Sequence, residues 1–237
     1  DLNHLAEVLE QNQSARRRWI ADISHELRTP LTVLRGELEA LEDGVRPINR
    51  DSVQSLSREV KQLKRLVDDL YQLSLSDQGS LSYEKGWIEP VALLKGVTAG
   101  FEHSLQQKQL LLTMTCDDEP PRLFADAQRL TQLFTNLIEN SQRYTDEGGE
   151  VKVWCESRDH CWQFHVEDSP PGVKEDQIGR LFERLYRVEG SRNRAHGGSG
   201  LGLSIARSIA EGHGATLSAQ PSSLGGVWVT LKFPLEK

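Results

Sequence analysis

Residues 20–41 read IADISHELRTPLTVLRGELEAL, and their apolar side chains recur at steps of three and four. With one phase slip at Pro30, these positions are Ile20, Ile23, Leu27, Leu31, Leu34, Leu38 and Leu41. This spacing places them along one side of an α-helix. Leu2, Leu5 and Leu9 begin the same period earlier. The pattern therefore predicts one helix of roughly forty residues, about 60 Å long.

A second helix is predicted after the segment GVRPIN at Gly44–Asn49, where glycine and proline interrupt the period. Asp51 or Ser52 offers an N-cap. Apolar residues then recur at Val53, Leu56, Val60, Leu63, Val67 and Leu70. An isolated antiparallel hairpin of these two helices would leave apolar surface in water, so we expect a homodimer that closes into a four-helix bundle.

The rest of the chain mixes helical and strand patterns after a polar segment, DQGSLSYEKGW at 77–87, which we interpret as an interdomain linker. Helices are predicted at 91–107 and 128–144, with a third ending near His213, and strands at 110–115, 151–156, 162–167, 216–220 and 226–233. In the strand at 162–167, Trp162, Phe164 and Val166 alternate with polar residues. This arrangement favours an α+β domain, with helices covering one face of a single sheet.

Composition excludes several classes of function. Acidic residues (35) exceed Lys and Arg (28), for a net charge of −7, so general nucleic-acid binding is not expected. No apolar run approaches the roughly 18 residues that would span a bilayer. Met114 is the only methionine, and we expect the sequence to be part of a longer protein.

The cysteines and histidines show no metal or disulfide framework. Cys116, Cys155 and Cys161 are odd in number and form no CxxC pair, so we interpret them as unpaired packing residues of a reducing compartment. The seven histidines lack the spacing of a zinc site. Any bound metal is therefore expected to have oxygen ligands.

His25 lies between the apolar positions Ile23 and Leu27, so we expect it on the solvent side of the long helix. A neutral imidazole is a usable nucleophile near neutral pH. The neighbouring Glu26 can accept the other ring proton. Thr29, four residues on, shares the face of His25 and can hold a water or a phosphoryl oxygen. A histidine beside an acid is also typical of an ordinary solvated helix face.

The string HELRTPL at 25–31 resembles the phosphoacceptor box of the sensor histidine kinases of two-component systems. Within that family, ADISHELRTPLTVLRGELEALEDGVRP at 21–47 and EGSRNRA at 189–195 resemble sensors of envelope stress. The resemblance covers essentially the whole chain. It implies a dimerisation and phosphotransfer domain at 19–76, and an ATP-binding α/β sandwich of the Bergerat type, similar to Hsp90, at 88–237.

Residues 1–18 resemble the end of a HAMP module and its connecting helix. A membrane-spanning sensor region is expected to precede Asp1. This portion would then lie on the cytoplasmic side of the bacterial inner membrane and meet the membrane only through that region.

A polar face is predicted on the helix at 128–144, where Asn136, Asn140 and Arg143 are spaced by four and three. Amide oxygens suit Mg²⁺, although a solvated face would show the same spacing. The stretch resembles the family's N box. On that resemblance Asn140 is the Mg²⁺ ligand, Asn136 assists it, Arg143 stands where lysine is common, and Tyr144 packs against the nucleotide base.

Asp168 follows a predicted strand and precedes the turn Ser169–Gly172. Its carboxylate can accept a hydrogen bond from an adenine amino group, and Gly172 permits close approach. The segment resembles the family's first glycine box, Asp-x-Gly-x-Gly. Pro170 replaces the first glycine, which puts backbone contacts there in question.

The cluster GGSGLGL at 197–203 opens a predicted helix, whose free N–H groups can hold phosphate oxygens. It matches neither the P-loop nor the Rossmann fingerprint. It resembles the second glycine box, which implies that Gly198, Gly200, Leu201 and Gly202 contact ATP. Gly225–Gly226 resembles a weaker third box.

The segment LFERLYR at 181–187 resembles the family's F box. We expect Phe182 and Tyr186 to share a helical face and Arg187 to contact phosphate. Residues 188–196 contain Arg192 and Arg194 and few apolar side chains, which is typical of a mobile lid over a triphosphate.

The resemblance implies that ATP and Mg²⁺ support phosphorylation of His25, that Glu26 aids this step, and that an aspartate of a cognate response regulator then takes the phosphoryl group. Glu26 and Thr29 also match the family's Glu-x-x-Thr phosphatase motif. Two alternatives stay open. One is a dimeric signalling scaffold that binds nucleotide without transferring phosphate, and the other is an ATPase of the same nucleotide-binding fold.

Overall fold

The computed structural model describes residues 2–117, 120–188 and 199–235. In chain order the elements are α1 (Leu2–Glu42), α2 (Arg50–Asp77), β1 (Gly86–Ile88), α3 (Pro90–Gln107), β2 (Leu111–Cys116), β3 (Leu123–Ala125), α4 (Ala127–Tyr144), β4 (Glu150–Arg158), β5 (Cys161–Asp168), α5 (Glu175–Ile178), α6 (Gly202–Gly212), β6 (Thr216–Pro221) and β7 (Val227–Pro234). The chain divides into a helical unit, which ends at Tyr71, and a mixed unit, which begins at Gln72. Among the described helices, none combines the length and apolar character needed to cross a membrane.

The helical unit is the predicted hairpin of two long helices, with a corrected cap at the start of α2. Asn49, rather than Asp51 or Ser52, precedes the helix and caps it. The Asn49 side-chain oxygen accepts a hydrogen bond from the Ser52 N–H at 2.9 Å, and the Ser52 hydroxyl accepts one from the Asn49 N–H at 3.0 Å. The two residues satisfy each other's backbone donors in the manner of a capping box.

Polar side chains connect the two helices of the hairpin near their turn. Glu37 Oε1 of α1 accepts a hydrogen bond from the Ser55 hydroxyl of α2 at 2.9 Å and lies 3.2 Å from Arg46 Nη1 in the connecting loop. Pro30 lies inside α1 without ending it, although proline removes one backbone donor.

The predicted apolar seam divides into two parts. Ile23, Leu27 and Leu34 are half-buried within the hairpin. Leu41, Leu56, Leu63 and Leu70 are half-buried as well. Six other seam positions form what we call the apolar stripe, with exposed fractions between 43 and 56 %: Ile20, Leu31, Leu38, Val53, Val60 and Val67. A step of seven residues separates Leu31 from Leu38, and also separates Val53, Val60 and Val67. Apolar side chains repeat at this interval in helices that pack side by side.

The mixed unit contains the predicted sheet, with strand order β2-β4-β5-β7-β6. Strands β2 and β4 are parallel and the other pairs are antiparallel. The observed strands start and end within two residues of the predicted ones. A small antiparallel pair, β1 with β3, was not predicted, because three residues per strand are too few to show a period.

Helices α3, α4 and α6 cover one face of this sheet. The predicted inward residues Trp162, Phe164 and Val166 are at most 1 % exposed. Phe134 of α4 packs against two of them, with ring centroids 6.3 Å from Trp162 and 4.8 Å from Phe164. The α+β prediction is confirmed in this unit.

The opposite face of β5 is also buried, which alternation alone does not predict. Gln163, His165 and Glu167 are all under 9 % exposed. Strand β5 lies at the centre of the sheet, and the ring of Trp154 on β4 stacks on His165 at 4.6 Å. Large neighbours on adjacent strands therefore shield these polar side chains.

The cysteine prediction needs a correction. The structure joins Cys116 and Cys155 in a disulfide, whereas the sequence suggested unpaired residues. The two are register partners on the parallel strands β2 and β4, with Cα atoms 4.6 Å apart, and a non-local pairing of this kind is not visible in sequence spacing. Cys161 is free.

Candidate functional site

His25 is exposed on α1, as its position between Ile23 and Leu27 predicted. Its neighbour Glu26 is half-buried. The exposed Thr29 lies one turn further along, and its hydroxyl donates to the His25 carbonyl at 3.3 Å. The structure therefore presents the imidazole to solvent with a carboxylate next to it and a hydroxyl one turn away.

The helix that carries the amide face, α4, is anchored at its start by Asp126. One carboxylate oxygen of Asp126 accepts the N–H of Arg129 at 3.0 Å, and the other accepts the N–H of Glu84 at 2.9 Å. Burial by itself raises the pKa of Asp126, but these backbone hydrogen bonds bring that pKa below its ordinary value. The negative charge of this N-cap also interacts favourably with the positive end of the helix dipole.

The predicted polar face of α4 exists. Asn136, Asn140 and Arg143 are half-buried, while Leu133 and Leu137 of the same helix are at most 2 % exposed. Within the described residues the Asn140 side chain has no hydrogen-bond partner, so the lone pairs of its amide oxygen are available to coordinate a cation.

The neighbours of Asn140 on this face are held by specific contacts. Asn136 Nδ2 donates to the Gly202 carbonyl at 3.1 Å, which ties α4 to the first residue of α6. Arg143 Nη2 lies 2.7 Å from Glu139 Oε1, one turn back. Tyr144, the last residue of α4, is half-buried.

Lys108, which sequence reasoning missed, closes the other end of α4. Its Nζ donates to the carbonyls of Gln142 and Arg143 at 2.7 and 3.0 Å, two of the acceptors that a helix end leaves unsatisfied. Burial lowers the pKa of Lys108 against the opposing charges of Asp146 and Glu147. Its position after α3 carried no sequence signal for this role.

Asp168 ends β5, as predicted, and both of its carboxylate oxygens are engaged. Oδ1 accepts the Val227 N–H at 2.7 Å, and Oδ2 accepts the Ser141 hydroxyl at 2.7 Å. Burial raises the pKa of Asp168, and these two hydrogen bonds work in the opposite direction. Ser141 belongs to α4, so the carboxylate lies against the same helix as the amide face.

Gly172 is placed where backbone segments meet. A Cβ on Gly172 would lie 2.6 Å from the Gly225 carbonyl oxygen, which no larger residue tolerates. Pro170, which departs from the family pattern, packs against Gly225 and joins Pro171 through a cis bond. Glu167 holds the turn that contains Gly225, because its Oε1 accepts hydrogen bonds from the hydroxyls of Ser222 and Ser223.

The second glycine cluster leads into α6, which begins at Gly202 as predicted. Gly200 has a φ of +67°, and a Cβ there would lie 2.9 Å from the Leu185 backbone. Leu201 is 0 % exposed, and its N–H donates to the Ser199 hydroxyl at 3.3 Å. Gly198 and the predicted lid with Arg192 and Arg194 lie outside the described residues.

The expected helical face of Phe182 and Tyr186 is wrong. The chain after α5 continues in turns, and Leu185 has a φ of +59°, which a right-handed helix excludes. Phe182 is buried, while the Tyr186 ring lies 4.3 Å from the Arg180 guanidinium carbon. Arg187, the predicted phosphate contact, is half-buried two residues after that break.

The mixed unit thus brings together the amide face of α4, the Asp168 carboxylate and the start of α6. The hydrogen bonds from Asn136 to Gly202 and from Ser141 to Asp168 connect these three elements directly. His25, Glu26 and Thr29 belong to the helical unit.

Comparison with known families finds two matches. Residues 15–79 match the His Kinase A (phospho-acceptor) domain, which includes His25. Residues 125–237 match the histidine kinase-, DNA gyrase B- and HSP90-like ATPase family, which includes α4, Asp168 and α6.

Curated relatives extend this likeness to the whole chain. The signal transduction histidine-protein kinase BaeS of Escherichia coli is 50% identical over 237 residues, which cover 100% of this chain and 50% of BaeS. The sensor histidine kinase WalK of Bacillus subtilis is 31% identical over 233 residues, covering 96% of this chain and 38% of WalK. The chain therefore spans half or less of the length of these relatives.

Solved structures agree on the fold. The Acinetobacter baumannii histidine kinase AdeS superposes with a TM-score of 0.76 at 28% identity, covering 90% of this chain and 98% of that one. The histidine kinase ThkA, solved in complex with the response regulator protein TrrA, superposes with a TM-score of 0.74 at 22% identity, covering 92% and 61%.

Proposed function

The chain belongs to the histidine kinases, and from this premise we propose that it phosphorylates itself on His25 with ATP and then transfers the phosphoryl group to an aspartate of a response regulator. The observation that carries the proposal is an exposed histidine within HELRTPL on α1, in a chain that also contains the ATPase-type domain. His25 alone would be an ordinary surface residue. The surrounding string and the second domain support a role as phosphoacceptor.

The chemistry at His25 is a nucleophilic displacement. One ring nitrogen forms a bond to the γ-phosphorus, the bond from that phosphorus to the bridging oxygen breaks, and ADP leaves with the electron pair. The proton on the other ring nitrogen passes to Glu26, the adjacent carboxylate. Positioning and charge neutralisation supply most of the catalysis in such transfers.

The nucleotide is proposed to bind along the amide face of α4. Asn140 would hold Mg²⁺ through its amide oxygen, with Asn136 beside it; when bound, the ion neutralises charge on the ATP phosphates. The amide oxygens fit a hard cation, and Asn140 is free to ligate among the described residues. Arg143 and Arg187 supply positive charge to the phosphates, and Tyr144 packs on the base.

Asp168 is proposed to accept the adenine amino group, and Gly172 to allow the base to approach the chain closely. The phosphates would meet the backbone of Gly198, Gly200, Leu201 and Gly202. Support for this comes from the start of α6 at Gly202, where helix N–H groups lack partners within the helix.

The apolar stripe supports a homodimer, because six large apolar side chains in heptad-like spacing are costly to leave in water. We propose domains at 1–18 (end of a HAMP-like module), 19–76 (dimerisation and phosphotransfer), 77–87 (linker) and 88–237 (ATP binding). The regulator is proposed to be similar to BaeR. The protein is proposed to contact the membrane only through a sensor region before Asp1. The portion described by this sequence would then lie on the cytoplasmic side.

Incubation with γ-labelled ATP tests the proposal. We expect acid-labile label on the wild-type protein and none on His25→Gln, which should still self-associate and bind ATP. The matched control is His103→Gln, an exposed histidine on α3, which should retain the label. Unlabelled wild-type protein would indicate the scaffold alternative, and release of free phosphate without labelling would indicate an ATPase.

We also propose that the protein removes phosphate from its regulator, with Thr29 orienting the attacking water. The exposed Thr29 hydroxyl lies one turn from His25, where a docked aspartyl phosphate could meet it. Thr29→Ala should lose most regulator dephosphorylation and keep much of its autophosphorylation. A parallel fall in both activities would mean local misfolding, and an unchanged dephosphorylation rate would remove Thr29 from the mechanism.

A further inference from the structure

Ser141 on α4 makes a hydrogen bond that its position in the helix does not require. It is 3 % exposed, and its hydroxyl donates to Asp168 Oδ2 across 27 positions of sequence. Serine is a weaker helix former than alanine, and a hydroxyl in a helix commonly donates to the carbonyl four residues back. Thr131 and Thr135 of the same helix do so, at 2.7 and 2.8 Å. Ser141 instead points across to β5.

The hydrogen bond fixes the orientation of the Asp168 carboxylate. Ser141 on α4 holds Oδ2, while the Val227 N–H at the start of β7 holds Oδ1. Rotation of the carboxylate would break both bonds at once. Gly226 packs so closely against Asp168 that a Cβ there would collide with the carboxylate. The group is therefore clamped between α4 and the Gly226–Val227 segment.

The clamped carboxylate keeps capacity to bind a ligand. An ionised carboxylate has about four acceptor positions, and the protein occupies one on each oxygen. Burial raises the pKa of Asp168 and Glu167 adds repulsion, whereas the Ser141 hydrogen bond favours the ionised form. Glu167 itself faces the Ser222–Ser223 turn.

We propose that Ser141 is a positioning residue for base recognition, and that its hydrogen bond directs the free acceptor position of Asp168 Oδ2 toward the 6-amino group of adenine. This inference rests on the proposed function, in which Asp168 contacts adenine. It adds the source of the selectivity: a fixed acceptor rejects purines whose position 6 lacks a donor, because the free acceptor position of the buried carboxylate is then left unpaired.

The test compares ATP with purine riboside triphosphate, which lacks the 6-amino group, by calorimetry on the full chain with Mg²⁺ present. The measured quantity is the ratio of the two dissociation constants. In the wild type we expect a preference for ATP of about tenfold or more. In Ser141→Ala that ratio should fall by about threefold or more, because ATP loses affinity and the analogue does not.

Two further variants keep the result interpretable. Ser141→Cys retains the size and a weaker donor, so its ratio should lie between those of wild type and Ser141→Ala. Thr98→Val removes a buried hydroxyl of α3 that donates to the Leu94 carbonyl, and should leave the ratio unchanged. This control separates base positioning from a general loss of buried hydrogen bonding.

The outcomes separate failure of the role of Ser141 from failure of the proposed function. The proposal would be overturned if Ser141→Ala and Ser141→Cys bound both nucleotides more weakly by the same factor, while Thr98→Val kept the wild-type ratio. Ser141 would then have only a structural role. A wild-type ratio near one, with ATP still bound, would overturn it together with the role of Asp168. Absence of ATP binding to the wild type would overturn the proposed function itself.

Discussion

In the helical unit, Val53, Val60 and Val67 are between 50 and 56 % exposed, whereas in the mixed unit Phe134, Phe164 and Leu231 are 0 % exposed. Both regions have clear apolar periodicity. The mixed unit closes its core within one chain, between a sheet and three helices. The hairpin has only two layers of helix and leaves one apolar edge open. Periodicity thus shows which face is apolar, and only the number of layers decides whether one chain can cover it.

The largest expected effect is in the closed core. Phe134→Ala removes a ring that packs on Trp162 and Phe164, so we expect the free energy of unfolding to fall by about 3–5 kcal/mol. Val33→Ala in the hairpin, 44 % exposed and off the apolar stripe, should change it by about 0.5 kcal/mol or less. Urea denaturation followed by tryptophan fluorescence measures both. Similar losses in the two variants would contradict the contrast between closed and open regions.

The second effect concerns the open edge. Val60→Glu puts a charge at the middle of the apolar stripe, and we expect self-association to weaken on the order of a hundredfold by sedimentation. The matched control is Lys61→Glu, an exposed neighbour off the stripe, which should self-associate normally. Unfolding of the mixed unit should be unchanged in both. A Val60→Glu protein that still self-associates as the wild type does would remove the stripe from the interface.

The elements that the sequence predicted are those with a local signal. The alternation of Trp162, Phe164 and Val166 needs no knowledge of the rest of the chain, and neither does the seven-residue spacing of Val53 and Val60. The polar face of α4 was predicted for the same reason, since Asn136 and Asn140 are one turn apart.

The features that the sequence missed depend on partners far along the chain. The Asp126–His213 contact joins positions 87 residues apart, and the Cys116–Cys155 bond joins positions 39 apart. The helical face expected for Phe182 and Tyr186 failed because a positive φ at Leu185 ends any helix there. Local spacing describes candidate faces, and tertiary contacts decide what those faces meet.

A pH-dependent effect of intermediate size is expected in the closed unit. His213 links α6 to the start of α4: its Nε2 accepts the Asp126 N–H at 3.0 Å, and its Nδ1 donates to the Ile209 carbonyl at 2.8 Å. Burial lowers the pKa of His213. The unfolded chain therefore binds the proton more strongly, so stability is present above the ordinary pKa of about 6.5 and is lost as pH falls through it.

The measurement is the free energy of unfolding between pH 7.5 and 5 in wild type and His213→Gln. The variant should lose part of the wild-type pH dependence, about 1 kcal/mol for the hydrogen bond that protonation breaks. His103→Gln, which changes an exposed histidine, should keep the full dependence. Identical slopes for wild type and His213→Gln would show that His213 is not buried in its neutral form.

The smallest effect compares one exposed ion pair from each unit. Lys64 Nζ lies 2.7 Å from Asp68 Oδ2 on α2, and Arg207 Nε lies 2.9 Å from Glu211 Oε1 on α6. Each joins residues one helical turn apart, with the base first, and all four side chains are more than half exposed. Solvent screening and the less favourable order, with the basic residue before the acidic one, limit each coupling energy to about 0.3–0.5 kcal/mol or less.

Double-mutant cycles with alanine at moderate salt measure both couplings, which should be equal within error and vanish at high salt. A coupling above about 1 kcal/mol for Lys64–Asp68 alone would mean that the interface extends beyond the apolar stripe to this pair, because only a partner that excludes water could strengthen that pair selectively.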